Sequence, residues 1–284
     1  MHSLSRWGLA VVASALLATG CSVTFARPGP TQTTNTAVEL NGAERVNVRL
    51  RPALYDLTLE GGADGLLEAE FTYNVEELEP TVSYAVENGV GNLLIAPRQQ
   101  TINTIPVGNV VSTWALQLNE DVPLDLTIEL GLGDSELDFS ALTLTALNIE
   151  AGAGSVRATL SRQELEELEI NSGLGNVDLH LGGGRIDRLD LDGGAGKLTL
   201  DFTGEWEADL NADINGGLGA IDLTLPNDVG VRITADSGLG NIHADAGLRL
   251  ENEHYVNAAY GQSAITLEIE IDQGVGDVTL RLAE

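Results

Sequence analysis

Gly-x-Gly triplets that open onto alternating apolar residues begin at Gly89, Gly131, Gly152, Gly173, Gly194, Gly217, Gly238 and Gly274. Successive starts differ by 42, 21, 21, 21, 23, 21 and 36, so the unit is 21 residues with one doubled gap and one insertion. Self-similarity at about 20 residues is the mark of a solenoid. After each triplet apolar residues occupy alternate positions, as in Val177, Leu179 and Leu181 or Leu198, Leu200 and Phe202. A turn follows, and a second alternating run such as Leu189 and Leu191 leads into the next triplet. A period of two is the period of a strand. Two short strands and two corners make one coil, and coils stacked about 4.8 Å apart bury the inner alternates like over like. Glycine at the triplet supplies positive φ and close backbone approach at a corner. The spacing therefore predicts an all-β chain: a single-domain parallel β-helix or solenoid.

Two other readings of the glycines fail on their surroundings. A dinucleotide-binding turn must open a helix, and these triplets open strands. The calcium-binding nonapeptide repeat needs an Asp where "GGAGKLTLD" has Leu198.

Composition narrows the partners. With 43 Asp+Glu against 14 Lys+Arg the formal charge is −29. That disfavours nucleic acid, whose phosphates are held by Lys and Arg, as a partner, and disfavours adsorption to anionic bilayers. Metal cations and basic or neutral polymers remain. Aromatics are only 4%, so the core must be built from Leu, Val, Ile and Ala.

The opening "MHSLSRWGLAVVASALLATGCS" has a weakly basic start, an apolar run from Trp7 to Leu17, and small residues leading into a cysteine. It resembles a bacterial lipoprotein signal. Cys21, the one cysteine of the chain, becomes the lipidated mature N-terminus in this reading, and the exported domain carries no disulfides. The expected division is a signal peptide over 1–20, the lipidated Cys21 with a Pro/Thr-rich flexible tether over 21–37, and a β-solenoid over 38–284. Within the last, 38–130 is a less regular N-terminal part and 131–284 the regular repeat. The protein is expected outside the cytoplasm, held by lipid to an outer membrane or to the outer face of the cytoplasmic membrane.

One constellation carries potential chemistry. The residue two before each triplet is always Asp, Glu or Asn: Glu87, Glu129, Glu150, Asn171, Asp192, Asn215, Asp236 and Asp272. Glu169, Asp190, Asp213 and Glu270 recur four before. Stacked in register, these form outward columns in which like charges repel by about 1 kcal/mol even in water. Glu129, Glu150, Asp192, Asp236 and Asp272 are thus candidate oxygen ligands for weakly bound calcium. Solubility and a contact surface for an envelope polymer or protein are the competing roles. The 36-residue interval contains "GLRLENEHYVNAAYGQSA", where Tyr255 and Tyr260 make a candidate partner loop or an end cap. His180 and His243 fall on outward alternates of different coils, and Trp114 and Trp206 read as packing residues. No acid, base and nucleophile converge, so we expect no catalytic residue, no resident cofactor and a non-enzymatic protein.

Three segments resemble the toast-rack family of bacterial envelope proteins. "LTLEGGADGLLEAEFTYNVEELEPTVSYAVENGVGNLLI" is similar to its N-terminal region. "WALQLNEDVPLDLTIELGLGDSELDFSALTLTALNIEAGAG", with Trp114, Pro123 and the Leu137–Asp138 pair, is similar to the start of its repeat body. "YVNAAYGQSAITLEIEIDQGVGDVTL" resembles the last coil shared with LiaF-like cell-wall-stress and adhesin domains. The resemblance implies an envelope scaffold or adhesin, with a regulatory module of the cell-envelope stress response as the alternative.

Overall fold

In a computed structural model, which describes residues 24–26, 28–99, 104–106 and 108–283, the alternating runs are strands stacked in parallel. One face runs through Val90–Pro97, Arg45–Leu50, the first half of Leu124–Asp138, Leu144–Ala153, Gln163–Leu174, Gly183–Ala195, Leu210–Leu218, Thr266–Val275 and Gly230–Leu239. The other runs through Ser112–Leu118, Leu54–Gly61, the second half of Leu124–Asp138, Val156–Leu160, Val177–Leu181, Leu198–Asp201, Ile221–Leu225, Val278–Leu282 and Ile242–Ala244. The sheet is open, and at about 4.8 Å per rung the stack is roughly 38 Å long.

The 21-residue interval is the register itself. Ile149 lies beside Ile170, Ile170 beside Leu191 and Leu191 beside Ile214, while Val156, Val177, Leu198 and Ile221 repeat the pattern on the other face. All are buried. Full burial of each such side chain contributes about 1.5–3 kcal/mol, and the ladders connect these contributions into one core. The glycines allow the rungs to close up. Gly175 has φ +138°, and a Cβ there would land on the carbonyl oxygen of Gly154 in the neighbouring rung.

Large aromatics seal the irregular places. Trp114 packs edge-on against Phe71, with ring centroids 5.3 Å apart. Trp206 donates its indole N–H to the Phe202 carbonyl at 2.8 Å.

Three expectations need correction. The first triplet does not belong to the repeat. Asn88 (φ 52°) and Gly89 (φ 78°) form the two-residue turn of an antiparallel hairpin, in which Glu87 faces Val90. Asn-Gly is the favoured pair for such a turn, because both central residues need positive φ. Glu87 is consequently outside the acidic columns.

The tether is also shorter than its composition suggests. Gln32–Val38 pairs antiparallel with Leu67–Tyr73, and Thr24–Ala26 pairs in parallel with Thr104–Pro106. Threonine suits strands by its β-branch. Most of Gln32–Val38 faces solvent, so it shows no apolar alternation to read.

Rung order is the third. Thr266–Leu282, last in sequence, lies between Leu210–Leu225 and Gly230–Ala244. The long interval provides the chain needed to pass the terminal rung and return. On the way it forms a hairpin, Arg249–Glu251 with His254–Val256, whose second strand pairs with Arg232 and Ile233. Asn257, only 1% exposed, accepts the Val231 N–H and donates to the Val229 carbonyl, fixing this cap to the terminal rung.

Candidate binding surface

Outward alternates of the first face form two polar rows. The row expected to bind calcium assembles in the order Glu129, Glu150, Asn171, Asp192, Asn215, Asp272, Asp236, each beside the next. Its amides interrupt the carboxylates. Asn215 donates to Asp192 at 2.9 Å, and Arg51 closes the first end with two hydrogen bonds to Glu129 at 2.8 and 2.9 Å. Two pairs, Glu129–Glu150 and Asp272–Asp236, stand at opposite ends with Asp192 alone between amides. Among the described residues no three His, Cys, Asp or Glu side chains are grouped so as to hold a metal ion.

The second row runs Arg49, Thr127, Asn148, Glu169, Asp190, Asp213, Glu270, Thr234. Four acids are stacked consecutively here, and neighbouring groups relieve them. Asn148 and Asn171 each donate to Glu169, at 2.7 and 2.9 Å. Arg188 reaches Asp190 at 2.8 Å and Asp213 at 3.3 Å, and the hydrogen bond and charge of Asp190 hold its guanidinium above its ordinary pKa. Beside the first row the bare backbone of Gly131, Gly152, Gly173 and Gly194 floors a trough of about 910 Å³, which reaches Arg51 and Pro97.

A third row has no counterpart in the reading of the sequence. The central residues of the triplets from Gly131 onward are paired each with the next, in the order Leu132, Ala153, Leu174, Ala195, Leu218, Val275, Leu239, and Leu54 lies beside Leu132 at the first end. These are apolar, yet Leu132 is 54% exposed, Leu174 61%, Leu218 59%, Val275 42% and Leu239 71%. The signal was present in every triplet, since the central residue is never polar. It went unread because alternation assigns apolar residues to the core, whereas here the strand runs on past the core's edge.

The remaining candidates are dispersed. Tyr255 is half-buried against the core as part of the cap, and Tyr260 is exposed. His180 sits 3.1 Å from Asp201 on the next rung. Burial pushes Asp201 up, but hydrogen bonds from Thr203 and the neighbouring His180 outweigh that and leave it below the usual carboxylate range. His254 contacts Arg232 and Thr234, and His243 is exposed on the terminal rung. Cys21 lies outside the described residues. Among the described residues no helix is long and apolar enough to cross a membrane.

Residues 27–180 and 165–224 match the family model described as the N-terminal domain of toast_rack, DUF2154. No curated protein matches the chain. Among solved structures, a putative cell adhesion protein from Clostridium sporogenes is 27% identical with a TM-score of 0.50, covering 89% of this chain and 100% of that one. A putative adhesin from Bacteroides fragilis is 10% identical with a TM-score of 0.42, covering 89% and 99%. Another, from Parabacteroides merdae, is 13% identical with a TM-score of 0.40, covering 91% and 99%.

Proposed function

The chain belongs to the toast-rack family, and on that premise we propose that it is a lipid-anchored envelope or surface protein acting as a non-enzymatic scaffold or adhesin. The observation that carries this reading is the likeness, over 89% of the chain at 27% identity, to the Clostridium sporogenes protein described as a putative cell adhesion protein. The geometry is in keeping with it. Long, repetitive rows of one chemistry suit an extended contact better than a reaction, which needs unlike groups brought to one point. Membrane attachment is assigned to Cys21, where the small residues Ala18, Thr19 and Gly20 meet the one cysteine.

Cell fractionation tests the anchor. Cys21→Ser should leave the protein unprocessed or release it from the membrane fraction, and unchanged processing and detergent partitioning would overturn it. For the contact role, the full chain is incubated with isolated envelope polymer and sedimented. Co-sedimentation that falls as Glu150 and Asp192 are replaced by Gln and Asn supports a scaffold. A purified chain that turns over an envelope substrate would remove the non-enzymatic reading.

A further inference from the structure

We propose that the exposed row of triplet centres is a docking rail for an amphipathic α-helix of another protein, with leucine-type residues in its seam and basic residues along one flank. Single exposed apolar residues are ordinary on protein surfaces, but an unbroken row along a whole domain marks an interaction site. This row continues from Leu132 to Leu239 without one polar residue.

Spacing selects the helix. Between Leu132 and Leu218 leucines occupy alternate rungs, with Ala153 and Ala195 between them. Leucines are therefore about 9.6 Å apart, twice the rung spacing. A helix repeats its seam every seven residues, or about 10.5 Å. An extended strand presents same-side residues every ~6.7 Å and falls out of step at once. The alanines leave gaps where side chains of a helix seam can enter between the leucines, as knobs enter holes.

Charge selects the occupant. On the upstream flank, three residues before each centre, stands the row containing Glu150 and Asp192. The downstream flank is mixed, with Asp134, Ser155, Asn176, Lys197 and Asp277 two residues after their centres, and both carboxylates there already accept a backbone N–H of the next rung. Five carboxylates on the upstream side, against two on the downstream side with Lys197 beside them, call for Lys or Arg along one side of the partner. A second copy of this chain would bring its own acidic row to the contact, and an anionic bilayer would meet like charge.

The full chain, purified in detergent, is titrated with a fluorescent 21-residue synthetic peptide that has leucine at the first and fourth heptad positions and lysine along one flank. Saturable binding is expected. A Leu174→Ser/Leu218→Ser variant should bind about tenfold or more weakly while keeping its circular dichroism and melting temperature, because both leucines are mostly exposed already. Glu150→Gln/Asp192→Asn should weaken binding several-fold and remove much of its salt dependence. The proposal is overturned by failure of the peptide to bind, by binding that the leucine variant leaves intact, or by equal binding of a peptide whose leucines are replaced by serine. It is also overturned if sedimentation shows a dimer of the chain that the leucine variant dissociates, since a second copy then occupies the rail.

Discussion

The rungs from Leu124 to Leu225 and those from Gly230 to Leu282 use the same pairing, the same glycines and the same inward residues, yet only the first set stacks in the order of the chain. In the first set each rung settles on the one before it, whereas Gly230–Ala244, joined to Leu225 only by Pro226–Val229, stands two places from Leu210–Leu225. Between Ala244 and Thr266 the chain has length to spare, and Thr266–Leu282 enters the stack one place early. Periodicity determines what a rung is, and a short connection does not by itself determine where it goes.

The severest way to break that comparison is to remove the inserted rung. A chain ending at Gly261 loses the partner of both Leu210–Leu225 and Gly230–Ala244, so two neighbours lose their ladders together. We expect the cooperative thermal transition to be lost or its midpoint to collapse. A truncated chain that melts like the whole would show that the inserted rung carries little of the core.

Gly175→Val comes next. It combines a φ disfavoured for β-branched residues with collision against the Gly154 backbone, and roughly 3–5 kcal/mol should be lost in urea titration. Gly261 also has positive φ (73°), but nothing lies within 4 Å of an added Cβ. Gly261→Ala should therefore cost only about 1 kcal/mol. Equal effects would mean that backbone conformation, and not contact between rungs, sets the requirement.

Asn257→Ala sharpens the comparison from the far end. It leaves the Val231 N–H and the Val229 carbonyl unpaired in a buried place, at a cost of about 2–3 kcal/mol. Hydrogen exchange should quicken across Gly230–Ala244 and leave Leu144–Leu181 protected. Uniform quickening would make the cap a global determinant of stability.

The smallest effect concerns Asp222, which joins the two regions: Lys197 lies on one side at 2.6 Å and Arg281 of the inserted rung on the other at 3.7 Å. Burial raises its pKa, but the Lys197 hydrogen bond and both cations outweigh this and leave it below the ordinary value. A depressed carboxylate contributes stability above its unfolded pKa of about 3.9 and loses it as pH falls through the folded value. Because both cations are about half exposed, Asp222→Asn should cost under about 1 kcal/mol at pH 7, and the difference should vanish on acidification. A difference that persists in acid would assign the effect to packing.

Much of this architecture was legible because it repeats. The inward set from Leu147 to Ile271 and the column from Glu129 to Asp272 follow from alternation and a fixed interval. What escaped reading was non-local or ambiguous. Asn88-Gly89 has the letters of both a triplet and a hairpin, and only the antiparallel partner Pro80–Glu87 distinguishes them. The strand at Gln32–Val38 depends on a partner 29 to 41 residues away. The exposed leucines obey the apolar alternation, so nothing in the pattern separates Leu174 from its buried neighbours.

The displaced final rung also has a consequence in time. A chain made from its N-terminus can lay down rungs through Leu225 as they emerge, each on a finished template. Gly230–Ala244 then arrives before Thr266–Leu282, the neighbour it pairs with in the finished stack. It must wait for Thr266–Leu282, and until then the growing end keeps an open edge that any spare strand can join. A piece of the chain that stops before Thr266 therefore leaves Gly230–Ala244 without the ladder of its inner neighbour.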